Sequence, residues 1–194
     1  VADEYSRQYD GSVESEERAN FLGMITCIDD NVGMLRRSLV ELGLSEDTIL
    51  IFMTDNGTAF GATPGDGQFI EDGYNAGMRG IKGSEYDGGH RVPFFLHWPG
   101  GGITSGRDAD TLTANVDIVP TLMELCNIEH DNDDFDGKSL AGFIREKGEN
   151  WKDRTLVTDS QRITTPIKWR KSATITPRWR LINGEELYDM DVDP

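Results

Sequence analysis

Thr48-Ile49-Leu50-Ile51-Phe52-Met53-Thr54-Asp55-Asn56-Gly57 joins a nearly continuous apolar and β-branched run to a carboxylate, an amide and a glycine. Without polar alternation, such a run suits a strand covered on both faces, as in a parallel sheet. Ligands of open α/β sheets bind beyond the carboxyl ends of the strands, so Asp55 and Asn56 stand at the expected mouth of a site. A carboxylate and an amide carbonyl are hard oxygen donors, and Gly57 permits a sharp turn beside them, a set that suits Ca²⁺ or Mg²⁺. The same tripeptide is also ordinary turn chemistry, and Asn56-Gly57-Thr58 matches a glycosylation sequon.

Upstream, Phe21, Ile25, Ile28, Val32, Leu35, Leu39 and Leu42 alternate steps of four and three, the apolar stripe of a long amphipathic helix. Glu14, Glu16 and Glu17 favour its N-terminal end, and Gly43 suits a left-handed cap at the other. Downstream, residues 56–90 are Gly-rich with little periodicity, a long loop of the kind that is functional or disordered. Val92-Pro93-Phe94-Phe95-Leu96-His97-Trp98 reads as a second strand, stopped by Pro99. A helix is predicted over 116–126, with Pro120 in its first turn or kinking it. After Trp151 come short β-like pieces around Leu156-Val157-Thr158, Ala173-Thr174-Ile175, Trp179-Arg180-Leu181-Ile182 and Leu187-Tyr188. This order predicts an α/β body with a smaller antiparallel appendage.

The 194 residues carry a net charge of −16, 37% hydrophobic and 28% charged side chains, which is the composition of an ordinary globular chain. No apolar run reaches the roughly 20 residues of a membrane-spanning helix. The acidity argues against nucleic acid as a partner, because phosphate-backbone affinity comes from clustered Lys and Arg. The charge is uneven: residues 152–180 hold 8 basic and 2 acidic side chains, a net of +6 within an acidic protein. That segment reads either as a solvated face or as a wall that attracts an anion. Cys27 and Cys126 lie in no metal or redox spacing and are expected to be buried, inert thiols.

A second cluster runs Gly77-Met78-Arg79-Gly80-Ile81-Lys82-Gly83-Ser84-Glu85-Tyr86-Asp87-Gly88-Gly89-His90-Arg91-Val92-Pro93. It has neither a P-loop nor a GxGxxG frame. A lysine between glycines near the end of a sheet can hold an anion by charge while backbone amides add donors. A buried strand ending in Asp-Asn-Gly and followed by this cluster resembles the sulfatase family, the arylsulfatase-like branch of the alkaline-phosphatase-like superfamily. The resemblance continues in Ile25-Thr26-Cys27-Ile28-Asp29-Asp30-Asn31-Val32-Gly33, Val116-Asp117-Ile118-Val119-Pro120-Thr121-Leu122, Asp136-Gly137-Lys138-Ser139-Leu140, Glu186-Leu187-Tyr188-Asp189 and Asp193-Pro194.

The resemblance implies part of an alkaline-phosphatase-like mixed or parallel sheet sandwiched by helices over 1–150, and an antiparallel C-terminal subdomain over 151–194. It makes Asp55 and Asn56 ligands of a divalent cation, Ca²⁺ or alternatively Mg²⁺, and Lys82 the catalytic lysine that contacts the substrate's sulfate group. It implies hydrolysis of a sulfate ester, on a sulfated small molecule or glycan, in an exported or lysosomal setting. Asp29 and Asp30 fall inside the long helix and read as surface residues. Arg91 and Asp87 read as loop anchors, and His90, His97 and His130 as structural histidines. Residues 132–137 partly imitate a calcium loop, but Phe143 stands where an EF-hand needs Glu.

The family's nucleophile is a formylglycine made from the Cys or Ser of a CxPSR-type motif. Neither Cys27 nor Cys126 lies in that frame, so the expectation is a C-terminal portion of a sulfatase that does not turn over substrate alone. Two other readings stand beside it: a phosphoester or phosphonate hydrolase on the same scaffold, and a non-catalytic module that holds sulfated glycans on its basic segment.

Overall fold

The structure, a computed structural model, describes residues 3–103, 106–131, 135–145 and 151–192. Its contacts divide it into two units, Val1–Gly102 and Ile103–Pro194. In the first, a single turn, α1 (Asp3–Ser6), lies against the long α2 (Glu16–Glu41). Ser15 caps α2 by accepting a bond from the Arg18 N–H at 3.1 Å, with Glu16 and Glu17 in the positive first turn. At the other end Gly43 takes φ +69°, and Gly43 and Leu44 donate back to Val40 and Leu39, the cap the sequence predicts.

The apolar stripe of α2 is present, yet Ile25, Ile28, Leu35 and Leu42 are exposed and only Ala19 and Gly23 are buried. The described residues that cover α2 gather at its N-terminal half. There α1 comes so close that a Cβ on Gly23 would lie 2.7 Å from the Ser6 nitrogen, and Arg18 bonds Phe60 and Asp72.

The run at 48–54 forms β1 (Leu50–Met53). It is followed by a hairpin of β2 (Ala62–Pro64) and β3 (Ile70–Gly73), the turn α3 (Asp87–His90) and β4 (Phe94–His97). The sequence shows no sign of the β2–β3 hairpin, because its strands are three and four residues long and include Pro64 and Gly73. β1 pairs antiparallel with β4, Leu50 opposite His97 and Met53 opposite Phe94, and all four of its residues are half-buried. This differs from the parallel, doubly covered strand that the apolar run predicts, since its neighbour within the chain is the strand that returns after the Gly-rich loop.

The second unit starts from the 3₁₀ turn Asn115–Asp117, which leads into α4 (Ile118–Leu125). Pro120 sits in the first turn of α4, where its missing N–H is tolerated. α5 (Ala141–Arg145) packs on α4. β5 (Leu156–Asp159), β6 (Ser172–Ile175), β7 (Trp179–Ile182) and β8 (Glu186–Asp189) form an antiparallel sheet in sequence order. Each of the four β-like pieces becomes a strand, and Ala173, Ile175 and Ile182 join Leu125, Leu140 and Ala141 among the buried apolar residues.

Asp117 is the polar centre of this unit. Its carboxylate is fully buried and accepts bonds from the Ala114 and Lys138 backbone N–H groups, both at 2.8 Å, and from both terminal nitrogens of Arg154. Thr121 adds a relay, donating to the Asp117 carbonyl and accepting from the Leu140 N–H. The Asp-Gly-Lys-Ser-Leu block therefore docks onto the Val-Asp-Ile-Val-Pro-Thr block, and a Cβ on Gly137 would strike the Val116 carbonyl at 2.0 Å. The cysteines depart from expectation: Cys27 is half-buried and Cys126, which ends α4, is exposed.

Candidate active site

Asp55 and Asn56 follow β1 after Thr54, beyond its C-terminal end, as a strand-then-turn reading requires. Lys82 lies 26 residues beyond Asn56, and two backbone bonds bring its loop to the turn. The Lys82 N–H donates to the Thr58 carbonyl at 2.8 Å, and the Gly57 N–H donates to the Gly89 carbonyl at 3.0 Å. The two clusters that the sequence only suggests belong together are thus laced side by side.

Gly57 is the tightest point. A Cβ there would fall 1.7 Å from the Gly88 carbonyl oxygen, and Gly88 is itself held against the Arg79–Gly80 backbone by its N–H on the Arg79 carbonyl at 2.8 Å. Gly57→Ala is therefore expected to lower stability by about 1–3 kcal/mol or more by overpacking, and to part the two loops. Gly142→Ala, on helix α5 with open space around it, is the control and should be neutral or slightly stabilising. Denaturant midpoints of the two variants check this, and equal midpoints would sink it.

The side chains around these bonds are left available. Asp55 is exposed, and its carboxylate has no hydrogen bond or ion pair among the described residues. The Asn56 amide nitrogen donates to the Gly57 carbonyl at 2.9 Å, which leaves its Oδ1 as a free acceptor. Lys82 is exposed and unpaired among the described residues. Asp55 and Asn56 thus offer two hard oxygens of the kind Ca²⁺ and Mg²⁺ take, against the 6–8 that Ca²⁺ prefers. Among the described residues no three His, Cys, Asp or Glu side chains cluster as a metal site.

The β2–β3 hairpin holds the lysine loop from behind. The Arg79 guanidinium stacks 3.8 Å from the centroid of Tyr86 and 4.6 Å from that of Phe69, and its Nε donates to the Gly67 carbonyl. The Gly80 N–H donates to the Gln68 carbonyl at 2.9 Å, and the Ser84 hydroxyl donates to the Gln68 side chain at 2.7 Å. Arg79 was visible in the sequence as part of the glycine cluster; Gln68 and Phe69 were not, because only the hairpin carries them there.

Arg91 stands 4.0 Å from Asp87 and donates its N–H to the Asp87 carbonyl. His90 faces the Glu85 carbonyl at 3.2 Å, and His97 lies in β4 opposite Leu50. His130 meets Phe135 edge-on, and its Nδ1 is buried without a partner among the described residues. Asp29 and Asp30 are exposed on α2. Of the calcium-loop imitation, residues 132–134 lie outside the described residues, as does the 193–194 pair.

A family model described as Sulfatase matches residues 1–128, and one described as N-sulphoglucosamine sulphohydrolase, C-terminal, matches 82–194. The chain belongs to the sulfatase family. An arylsulfatase of Clostridium perfringens is 30% identical over 185 residues, 91% of this chain and 34% of that protein. Human arylsulfatase A is 31% identical over 137 residues, 71% of this chain and 25% of that one. The chain thus spans about a quarter to a third of the length of these relatives. Among solved structures, Ps i-CgsB in complex with k-i-k-neocarrahexaose superposes with a TM-score of 0.78 at 22% identity, covering 96% of this chain and 39% of that one. BT4656 in complex with its substrate D-glucosamine-2-N,6-O-disulfate gives 0.62 at 18%, covering 100% and 40%. These likenesses establish the alkaline-phosphatase-like α/β fold for this sulfatase chain.

Proposed function

We propose that the polypeptide carrying this chain hydrolyses a sulfate ester to an alcohol and inorganic sulfate, with a sulfated glycan as its substrate class. The observation that carries the reading is the pair of backbone bonds lacing the Asp55–Gly57 turn to the Lys82 loop, beside the Asp55 carboxylate, the Asn56 Oδ1 and the Lys82 ammonium, none of which has a partner among the described residues. Structural neighbours support the substrate class: one is held with k-i-k-neocarrahexaose and another with its substrate D-glucosamine-2-N,6-O-disulfate.

In this reading Asp55 and the Asn56 Oδ1 hold Ca²⁺, or Mg²⁺ in its place. A bound divalent cation supplies Lewis-acid polarisation of the sulfate oxygens. Lys82, a compact charge on a flexible stem, reaches the sulfate group and offsets the negative charge that grows on it or on the leaving oxygen. The Arg79 stack and the Thr58 bond fix where the stem begins, so the ammonium searches a small volume. The nucleophile expected of the family is a formylglycine carried outside these residues. We assign residues 1–150 to the α/β domain and 151–194 to the antiparallel subdomain, a division supported by a four-stranded sheet that lies wholly within 151–194; the second unit also takes in α4 and α5.

The test is hydrolysis by the natural polypeptide of an aryl sulfate against the matching aryl phosphate, before and after chelation. Release of sulfate in preference to phosphate, lost with EDTA and restored by Ca²⁺, is the expected result. Preference for the phosphate would replace this reading with the phosphoester hydrolase. Rates unchanged by EDTA would remove the metal role of Asp55 and Asn56.

A further inference from the structure

From Ser160 to Gly184 the sequence holds six cations, Arg162, Lys168, Arg170, Lys171, Arg178 and Arg180, and no acid. Arg178 is neutralised by Asp189 at 2.5 Å and Asp191 at 3.3 Å, and Arg180 donates to the Thr176 and Trp179 carbonyls. The other four lie on the exposed β5–β6 loop and make no ion pair among the described residues. In a chain of net charge −16 this is a local reversal of sign that no internal partner explains.

The loop is built rather than slack. The Gln161 side chain accepts from the Ile167 N–H at 2.8 Å and donates to the Ile167 carbonyl at 3.0 Å, while Asp159 holds Gln161 through both its backbone and its amide. Arg170 donates back to Ile167, and the Ser160 N–H donates to the Lys171 carbonyl. The closed ring forces Trp169 to φ +70° and Lys171 to φ +47°, left-handed conformations that a non-glycine residue keeps only where its surroundings impose them. Trp169 is 46% exposed, and its indole rests on Gly184, where a Cβ would come within 2.7 Å of the ring. Lys168 Nζ lies 5.1 Å from the ring centroid. An exposed aromatic surface with one ammonium over it, on a loop that carries three further unpaired cations among the described residues, matches a ring-shaped ligand that carries anions on its rim.

We infer that the β5–β6 loop is a binding subsite for a sulfated sugar ring, with Trp169 as the stacking surface and Arg162, Lys168, Arg170 and Lys171 as the sulfate contacts. The choice of sulfate among anions rests on the proposed function. The choice of a sugar over a nucleic acid follows from the acidic remainder of the chain, which repels a continuous phosphate backbone while tolerating one sulfated ring. The composition of this segment fits either a solvated face or an anion-attracting wall, and the Gly184 contact under Trp169 favours the second.

The experiment titrates the whole 194-residue chain, in EDTA, with a heparin-derived hexasaccharide, its desulfated N-acetylated counterpart and an oligothymidylate of equal charge, read by calorimetry and tryptophan fluorescence. The sulfated sugar should bind, perturb a signal that Trp169→Phe removes, and lose about tenfold or more in affinity in Trp169→Ala. Trp169→Phe should keep most of the affinity. Lys168→Gln combined with Lys171→Gln should weaken binding to a similar degree and serves should Trp169→Ala fail to fold. Equal or tighter binding of the oligothymidylate, equal binding of the desulfated sugar, or indifference to Trp169 would each overturn the inference. Because the readout is binding without a metal ion, failure of the natural polypeptide to hydrolyse sulfate esters would overturn the proposed function and leave this site standing.

Discussion

Lys82→Ala is expected to lower kcat/KM of the natural polypeptide for an aryl sulfate by about 10²–10³-fold, the usual loss when one preorganised donor to a developing oxyanion is removed. The loop itself should not move. What positions residue 82 is its backbone N–H on Thr58, which alanine retains, and the Arg79 stack one turn earlier. The Lys82 side chain is exposed and makes no contact whose loss would unfold anything, so stability should stay within about 0.5 kcal/mol. Lys82→Arg should recover little of the rate, because a planar fork does not reproduce a compact ammonium at the same place. Steady-state kinetics with a parallel thermal melt separates the outcomes. A loss under about threefold, or one matched by a large fall in melting temperature, would remove Lys82 from contact with substrate.

Asp117→Ala should be the most destabilising single change in the second unit, by about 3–5 kcal/mol, because it strands Arg154, whose side chain is only 7% exposed, without its counter-charge. It also orphans the Ala114 and Lys138 N–H groups. Replacing both partners by apolar residues should cost less than the two single changes added together, since no charge is then left behind. Urea unfolding of the four proteins measures the coupling, and strict additivity would show that the pair is not a unit.

The same carboxylate makes a pH prediction. Burial pushes the Asp117 carboxyl up, but the Arg154 bonds together with the Lys138 and Ala114 N–H groups outweigh it and hold it below the ordinary carboxylate value. A depressed folded value means that the folded state releases the proton more readily. The stabilisation is therefore fully present above the unfolded value of about 3.9 and is lost as pH falls through the folded one. Unfolding free energies should fall on acidification from pH 5 to pH 3, and Asp117→Asn should flatten that fall. An acid limb of equal slope in both proteins would assign it to other carboxylates.

Several features were legible because they depend on local chemistry. The step of three and four along Phe21–Leu42, the Glu16 and Glu17 charges of the first turn and the Gly43 stop act within one helix, and each appears where the residues place it. The four β-like pieces after Trp151 likewise announce themselves by β-branched and aromatic content. The β2–β3 hairpin does not, since it is short, broken by Pro64 and stabilised through Arg79, Gln68 and Ser84 rather than by an alternating pattern of its own. The direction of the strand paired with β1 is illegible for a related reason: an apolar run reports that a strand will be covered, but not the direction of the strand beside it.

For the proposed site, the sequence by itself determined which residue types are offered, namely two hard oxygen donors after a strand and a lysine among glycines, and the order of blocks that marks the family. Tertiary structure alone decided that these belong to one place. Chain connectivity separates Asn56 from Lys82 by a long Gly-rich segment. The Lys82–Thr58 and Gly57–Gly89 bonds, possible because Gly57 and Gly88 carry no side chain, close that distance. In the same way, composition showed that residues 152–180 are basic, whereas the fold decided which cations are spent on Asp117 and Asp189 and which remain on the Trp169 loop. A charge is a property of a residue, but whether it is neutralised depends on neighbours that only folding supplies.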